Sequence, residues 1–445
     1  MIAAPCSGAG KSLITLCLLS GFARRGLALS SVKIGPDYID AAFHREASGG
    51  VCVNLDGWAM RTDVLLETAA FASVDADLLL AEGVMGMFDG ARDGAGSSAD
   101  VAAAMGWNVV LVVDGRGTGR SIGALVKGFA NFRDDICVGG VLLNRVRSPL
   151  HQKLLEEGCR DAGVEVLGAI PEDAGLHLPH RHLGLVQAAE HPDLKELLHR
   201  GAEIAEKHID MDRMLALARP LKNVPAPKAG APFTPPAQNI AVAKDIAFAF
   251  TYPSWFTAWR NAGAEVSFFS PLCDEAPRED CDFVFLPGGY PELHAERLAN
   301  ASNFLRGLQS AQKRGAMIYG ECGGYIVLGE GLTDEHGERH AFAGLLPLET
   351  RFGGERTLGY RRARLLADGF LGAQGDGFRG HEFHFVAEVA PAGAPPAPLF
   401  EITPPDFAGE AAAAHIAGMR TGKVMGSFLH LIDRCASTSA GATLP

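Results

Sequence analysis

The sequence predicts an α/β protein of two domains, each a largely parallel sheet with helices on both faces. The chain has 445 residues, which is too long for one compact core. Short apolar runs alternate with helical stretches of roughly ten to fifteen residues, a pattern typical of parallel sheets. Residues 220–236 interrupt this alternation with six prolines and almost no large apolar residue.

The interruption sets the predicted domain bounds. Residues 1–190 form a first domain, and residues 239–435 form a second. Residues 191–238 form a helical and proline-rich linker between them. We expect the tail at residues 436–445 to be disordered.

Composition and charge narrow the class of protein. Hydrophobic residues make up 47% of the chain and the net charge is −12, so we expect a globular protein that does not bind nucleic acid. No apolar run has the length of a membrane span, and the first residues already form a functional loop, which leaves no room for a signal peptide. The nine cysteines lack paired spacing, as in proteins of reducing compartments. We therefore predict a cytoplasmic protein.

The first element is a glycine-rich loop between a short strand and a helix predicted over Ile14–Phe22. Its sequence, Ala-Pro-Cys-Ser-Gly-Ala-Gly-Lys-Ser, is typical of a phosphate-binding P-loop, although Pro5 stands where the usual pattern has its first glycine. Glycines let the backbone N–H groups approach phosphate oxygens, lysine supplies a cation and serine a Mg²⁺ ligand. The alternative is a simple helix-entry loop. The predicted nucleotide contacts are Ser7, Gly8, Ala9, Gly10, Lys11 and Ser12.

Acidic residues follow two further strands predicted in this half. The strand at Leu27–Ile34 precedes Asp37 and Asp40, and the strand at Asp77–Ala81 precedes Glu82. Because these loops face the ligand crevice of an open α/β sheet, the carboxylates are candidates for holding Mg²⁺. Glu82 is the first choice and Asp89 the second. Asp37 has a plainer alternative as a helix N-cap.

Three more strands are predicted at Val109–Val113, Gly139–Leu143 and Val164–Ala169. Asn144 follows the second of them. Its amide can donate and accept at once, so it is a candidate for the edge of an adenine, with a turn residue as the alternative.

The second half repeats the α/β pattern. Strands are predicted at Ile240–Phe250, Val266–Ser270 and Asp282–Leu286, with a helix at Trp255–Ala262. Gly288 and Gly289 follow the third strand, and their backbone N–H groups are candidates for an oxyanion hole.

Cys322 lies on a tight turn between a predicted strand and a predicted helix, within Gly-Glu-Cys-Gly-Gly-Tyr. This is the pattern of a nucleophile elbow, and a helix N-terminus is expected to lower the pKa of the thiol. Its base is predicted to be His430, at the end of a strand at Val424–Leu429. His381 and His384 remain rivals for that role.

Taken together, the motifs resemble the cobyrinic acid or hydrogenobyrinic acid a,c-diamide synthase family, from Ala3 to about Arg434. That family joins an ATP-binding, P-loop domain of the dethiobiotin-synthetase type to a flavodoxin-like class I glutamine amidotransferase domain. Besides the P-loop and the cysteine turn, the resemblance rests on Lys-Ile-Gly-Pro-Asp-Tyr-Ile-Asp, Glu-Gly-Val-Met-Gly-Met-Phe-Asp-Gly, Arg-His-Leu-Gly-Leu, Leu-Pro-Gly-Gly-Tyr-Pro-Glu and Arg-Gly-His-Glu-Phe-His.

The resemblance implies an ATP- and Mg²⁺-dependent ligase that amidates a corrinoid polycarboxylate with nitrogen from L-glutamine. Ammonia then attacks an acyl phosphate, and we expect it to travel through the protein because free ammonium is unreactive. A homodimer is a further expectation. The alternatives are a cobyric acid synthase, a nickel-sirohydrochlorin diamide synthase, or a P-loop ATPase with an inactive amidotransferase-like module.

The resemblance also implies roles for individual residues. Cys322 attacks glutamine, His430 raises its nucleophilicity, and Gly323 joins Gly289 in the oxyanion hole. Ile432 stands where the usual triad has a glutamate, which leaves a pair. The residues implied for Mg²⁺ and phosphoryl transfer are Asp40, Glu82 and Asp89, and those implied for the corrinoid are Asp37, Tyr38 and Ile39.

Overall fold

The computed structural model describes residues 1–173, 175, 180–181, 184–221, 231, 233–389, 396–406 and 413–435. The predicted tail at 436–445 and most of the proline-rich segment lie outside these residues. The chain divides into two compact units, one with Met1–Trp58 and Thr62–Lys228, the other with Ala59–Arg61 and Ala229–Pro445. The predicted domain bounds stay a prediction.

The first unit contains a parallel sheet in the order β3-β2-β4-β1-β5-β6-β7 and a small hairpin, β8-β9. Its strands are β1 (Ile2–Ala3), β2 (Leu29–Ile34), β3 (Cys52–Leu55), β4 (Leu78–Glu82), β5 (Asn108–Asp114), β6 (Cys137–Val146), β7 (Val166–Pro171), β8 (His180–Arg181) and β9 (Gly184–Leu185). Its helices are α1 (Lys11–Arg24), α2 (Tyr38–Ser48), α3 (Thr62–Ala72), α4 (Ser98–Met105), α5 (Ile122–Asn131), α6 (Pro149–Asp161), α7 (Leu194–His208) and α8 (Met211–Ala216).

Both faces of this sheet are covered, as the sequence predicts. Along β5, Val110 and Val112 pack with residues of α1 and α7. Leu111 and Val113 point to the other face and pack with residues of α4, α5 and α6. Successive side chains of a strand face opposite sides, so a strand buried on both faces is apolar throughout.

Two features of this unit differ from the expectation. Strand β3 was not predicted, although its four residues are all buried. In addition, α7 and α8, which lie in the stretch predicted as a linker, pack with the first unit. Leu197, Ile204 and Met211 are buried in the same cluster as α1, and this apolar stripe holds the helices against the domain.

The second unit contains a mixed sheet rather than a largely parallel one. Its strands are β10 (Asn239–Ala243), β11 (Glu265–Phe269), β12 (Phe283–Leu286), β13 (Met317–Glu321), β14 (Gly331–Thr333), β15 (Arg339–Ala341), β16 (Glu349–Leu365), β17 (Gly377–Val389), β18 (Ala397–Thr403), β19 (His415–Thr421), β20 (Val424–Ser427) and β21 (His430–Arg434). The parallel part runs β11-β10-β12-β13-β20. Antiparallel strands β19, β18, β16, β17 and β21 extend it.

Helices α9 (Pro253–Asn261), α10 (Ala295–Ala299), α11 (Ser302–Arg314) and α12 (Gly323–Leu328) pack in this unit. Trp255 and Trp259 of α9 contact Phe285 on one face of the parallel strands. On the other face, Val284 and Ile318 pack with Leu308 and Tyr325 from α11 and α12. The parallel core is thus also covered on both sides.

Two predicted strand ends in this unit are wrong. Strand β10 ends at Ala243 and not at Phe250, because Asp245 accepts hydrogen bonds from the backbone N–H groups of Ala247 and Leu272 and turns the chain. Strand β20 ends at Ser427, so His430 begins a new strand. None of the helices in the described part of the chain is long and apolar enough to cross a membrane.

Candidate active sites

The glycine-rich loop has the shape of a phosphate cradle. Gly8 and Gly10 have φ angles of 81° and 98°, in the left-handed region that favours glycine. Ser7 and Gly8 are exposed, and α1 begins at Lys11 directly after the loop. The backbone N–H groups at the start of this helix are available to an anion.

Asn144 holds the glycine-rich loop through a hydrogen bond to its backbone. Its Nδ2 donates to the carbonyl oxygen of Ala9 at 2.9 Å, and a Cβ on Gly10 would lie 2.1 Å from the same atom. Its Oδ1 accepts from the backbone of Arg145 at 2.9 Å. Both ends of the amide therefore bond to backbone groups, and the contact with an adenine stays a prediction.

Lys11 is buried and lies beside the motif that follows β4. Its Nζ donates to the carbonyl oxygen of Met85 at 3.1 Å, and Met85 itself has a φ of 48°. Burial lowers the pKa of Lys11, while the nearby carboxylate of Glu82 opposes this effect.

The three residues predicted to bind Mg²⁺ are brought together. Ser12 Oγ donates to Glu82 Oε1 at 2.6 Å and lies 3.1 Å from Asp40 Oδ2. Hydroxyl and carboxylate oxygens are the ligands that Mg²⁺ prefers. The donor set therefore fits this ion.

Lys33 lies in the same cluster and was missed as a site residue. Its Nζ donates to Asp40 Oδ2 at 2.5 Å and to Glu82 Oε1 at 2.7 Å. Burial disfavours the charge on each group, but the ion pairs outweigh it, raising the pKa of Lys33 and lowering that of Glu82. A lysine at the end of a buried strand was the available signal.

His44 is a second missed neighbour of Glu82. Its Nε2 lies 2.7 Å from Glu82 Oε2, and both side chains are buried. The carboxylate of Glu82 is therefore held on both oxygens, by Lys33 and Ser12 on one side and by His44 on the other.

The remaining predicted residues of the first unit lie near this cluster in different settings. Asp37 is the N-cap of α2, because its Oδ1 accepts hydrogen bonds from the backbone N–H groups of Ile39 and Asp40 at 3.0 Å each. This is the structural role that the sequence offered as an alternative. Tyr38 is buried and Ile39 half-buried. Asp89 is exposed, and its Oδ2 accepts from the backbone of Gly86 at 2.9 Å.

Cys322 forms the turn between β13 and α12 in the second unit. Its φ of 48° is rare for a residue with a side chain, as expected of a nucleophile elbow. Its backbone N–H donates to the carbonyl oxygen of Ser427 at 2.8 Å, which ties the turn to β20. The thiol is buried, and burial raises its pKa. The backbone N–H of Gly323 at the start of α12 does act to lower this pKa, as expected, but desolvation is the larger effect and the net shift is upward.

Gly289 and Gly323 lie next to each other. A Cβ on Gly323 would be 3.2 Å from the backbone nitrogen of Gly289, and one on Gly289 would be 2.0 Å from the carbonyl oxygen of Ala247. Only glycines allow this close approach of two loops, which places the two predicted oxyanion-hole residues beside the cysteine turn.

His430 lies against Gly288, since a Cβ there would fall 2.2 Å from the imidazole Cε1. Its ring stacks on His381, directly opposite on β17, with centroids 4.8 Å apart. Burial, with smaller effects of His381 and His384, holds the pKa of His430 well below its usual range. At neutral pH the ring is therefore neutral.

The two rival histidines have other contacts. His381 is the stacking partner of His430, and burial lowers its pKa to about 3. His384 Nδ1 donates to the carbonyl oxygen of Val386 at 2.7 Å, and its ring stacks on Phe428. His430 is the one that adjoins the glycine loop carrying Gly289.

Comparisons with known proteins match both halves of the chain. Residues 1–186 match the CobQ/CobB/MinD/ParA nucleotide binding domain, and residues 239–435 match the CobB/CobQ-like glutamine amidotransferase domain. Among solved structures, the MinD cell division protein of Aquifex aeolicus is 16% identical, with a TM-score of 0.32 over 50% of this chain and 98% of that one. That score is too low to carry an argument.

Curated relatives are similar over nearly the whole chain. The hydrogenobyrinate a,c-diamide synthase of Brucella abortus biovar 1 (strain 9-941) is 50% identical over 436 residues, which cover 97% of this chain and 98% of the relative. The enzyme of the same name from Rhizobium meliloti (strain 1021) is 49% identical over 438 residues, with coverage of 97% and 98%. The chain therefore belongs to the hydrogenobyrinate a,c-diamide synthase family.

Proposed function

We propose that this chain amidates the a and c carboxylates of hydrogenobyrinic acid, using ATP and glutamine. It is a carbon–nitrogen ligase with glutamine as the amide donor. The assignment of the substrate rests on sequence identity. About half of all residues, across both domains, are identical to those of hydrogenobyrinate a,c-diamide synthases. The clustered residues of the nucleotide site support the ATP-dependent activation, and the turn at Cys322 supports the release of ammonia from glutamine.

The first unit converts a carboxylate into an acyl phosphate. A carboxylate oxygen of the substrate attacks the γ-phosphorus of ATP, ADP leaves, and ammonia then displaces phosphate to form the amide. The P-loop and Lys11 bind and orient the phosphates. Ser12, Asp40 and Glu82 would hold Mg²⁺, which neutralises phosphate charge when bound. Asp89 is proposed to assist phosphoryl transfer, and the start of α2 at Asp37, Tyr38 and Ile39 to contact the corrinoid.

The second unit releases ammonia from glutamine. His430 takes the thiol proton of Cys322, and the sulfur attacks the side-chain amide carbon. His430 then gives this proton to the leaving nitrogen, so that ammonia departs as the thioester forms. Water then hydrolyses the thioester to glutamate and the free thiol. The backbone N–H groups of Gly289 and Gly323 are proposed to stabilise the negative oxygen of the tetrahedral intermediate.

The test separates the two reactions. We expect Cys322→Ala to lose glutamine-dependent amidation by at least about a hundredfold, while amidation with ammonium salts stays within about twofold, because the thiol is needed only to release ammonia. Product mass with hydrogenobyrinic acid and with cobyrinic acid identifies the substrate.

Cys273→Ala is the matched control, since this cysteine is exposed in the same unit. Loss of the ammonium-dependent reaction in Cys322→Ala would contradict the proposal that Cys322 is needed only to release ammonia from glutamine. A location in the cytoplasm, the lack of a nucleic-acid partner and a homodimer remain predictions.

A further inference from the structure

The amidotransferase site lacks a carboxylate at the expected position. Two residues after His430 the chain has Ile432, which is buried. The next residue, Asp433, is engaged elsewhere in the second unit, because the backbone N–H and Nε of Arg61 donate to its Oδ2 at 2.9 and 3.1 Å. Neither residue is available to orient the imidazole.

Glu321 lies on the other side of His430. Its Oε2 is 4.0 Å from His430 Nδ1, and the side chains are 3% and 1% exposed. Its Oε1 accepts from the backbone N–H of Leu431 at 3.3 Å. The carboxyl group is thus fixed at the start of β21, beside the histidine.

The strand that carries Glu321 also positions the nucleophile. Glu321 ends β13 and is followed directly by Cys322, and its register partner on β20 is Ser427. The carboxyl group beside His430 and the nucleophilic thiol therefore belong to consecutive residues at one strand end.

We propose that Glu321 is the positioning residue for His430, accepting a hydrogen bond from Nδ1 so that Nε2 presents its lone pair to the thiol. This inference rests on the proposed roles of Cys322 and His430. The gap of 4.0 Å is longer than a hydrogen bond, and catalytic hydrogen bonds are often long in ligand-free structures and shorten when substrate binds. An acceptor at Nδ1 fixes the tautomer and stabilises the imidazolium that forms when the thiol proton is taken.

The neighbourhood makes this role sensitive to pH. Burial raises the pKa of Glu321 to about 8. His381 and His384 on β17 face His430, while Tyr319 and Cys322 flank Glu321 on its own strand. Glutamine hydrolysis should therefore increase as the pH rises through the titration of Glu321, because only the carboxylate accepts from Nδ1 without competing for the proton.

The test compares Glu321→Gln with wild type in the full chain. We expect kcat for glutamine hydrolysis to fall at least about tenfold while KM changes less than about twofold, with a smaller pH dependence between pH 6 and 9. Alkylation of Cys322 by iodoacetamide should slow in parallel. Ammonium-dependent amidation should be unchanged, since it does not use this site.

Glu388→Gln is the matched control, because that carboxylate lies on β17 and accepts from Tyr325 rather than from His430. A wild-type kcat and pH profile in Glu321→Gln would overturn the proposal. If His430→Ala also kept full glutamine hydrolysis, the proposed Cys322–His430 pair itself would be wrong. If only His430→Ala lost it, the Glu321 inference alone would fail.

Glu321→Asp covers the case in which the glutamine variant does not fold. It keeps the charge and shortens the reach, so partial activity with an altered pH profile supports the positioning role. An unaltered profile in a folded Glu321→Asp protein contradicts it.

Discussion

Lys33 holds together the carboxylates of the nucleotide site. Its ammonium group lies between Asp40 and Glu82, and all three side chains are largely buried. A buried ion pair contributes little net stability compared with an apolar pair, but removing one partner leaves an uncompensated buried charge. The main effect of losing Lys33 should therefore be the uncompensated charge on Asp40 and Glu82.

We expect Lys33→Met to lower the free energy of unfolding by about 3–5 kcal/mol, because two buried carboxylates lose their cation. Urea unfolding monitored by circular dichroism measures this change. Arg213→Met is the control, since Arg213 pairs with Glu165 on the surface and its loss should move the midpoint little. An equal effect of the two substitutions would contradict the assigned importance of Lys33.

Glu321 also affects stability in a pH-dependent way. Because its pKa is raised to about 8 by burial, the folded state retains a proton that the unfolded chain loses near its ordinary value of 4.5. Its contribution to stability is fully present below pH 4.5 and is lost as the pH rises through about 8.

We therefore expect Glu321→Gln to gain stability relative to wild type as the pH is raised from 5 to 9, by up to a few kcal/mol. The measurement is the difference in unfolding free energy between the two proteins at each pH. A difference that stays constant across this range would show that the carboxyl group titrates normally.

At the scale of elements, the helices after the first sheet belong to its core. Gly21 of α1 packs closely on α7, since a Cβ at Gly21 would lie 3.0 Å from the Cβ of Ala205. Ile204 is buried in the same cluster. Packing of α7 on α1 therefore contributes to the core of the first unit.

Ile204→Ala should lower the unfolding free energy by about 2–4 kcal/mol, because it leaves a cavity between α7 and α1. Leu215→Ala on α8 is the control, since that side chain is 38% exposed and should cost less. Denaturant titration of the full chain, read by circular dichroism, compares them. A cost at Ile204 no larger than at Leu215 would mean that α7 is not part of this core.

The break between β20 and β21 explains why the end of the strand predicted at Val424–Leu429 was wrong. The run from Val424 to Leu429 is apolar and reads as one strand, but the ladder with β13 ends at Ser427. His430 then pairs with His381 of β17. Periodicity within a segment does not reveal which neighbour it pairs with, so this change of partner was not predictable.

For the whole molecule, the sequence predicted those strands that a local run of apolar residues reveals. Apart from β3, the parallel strands of the first unit were predicted within a few residues of their observed bounds, and β5 is apolar on both faces. The antiparallel strands of the second unit were missed, because β16 is half exposed and carries arginines and glycines without clean alternation.

The same division applies to the sites. The glycine-rich loop and the turn at Cys322 are local motifs, and their geometry was predicted. Lys33, His44 and Glu321 were missed because their partners are brought near by strand register, which a single sequence does not contain. The burial that raises the pKa of Cys322 likewise depends on the complete fold.

The amide of Asn144 behind the P-loop has one further consequence. Because a side chain from β6 fixes Ala9 and packs on Gly10, the loop is pre-organised before any nucleotide arrives, and little conformational entropy is lost when phosphate binds. An enzyme that forms two amides on one molecule must exchange ADP for ATP between them. A loop already held in this shape by Asn144 is ready for the second turnover as soon as the first product leaves.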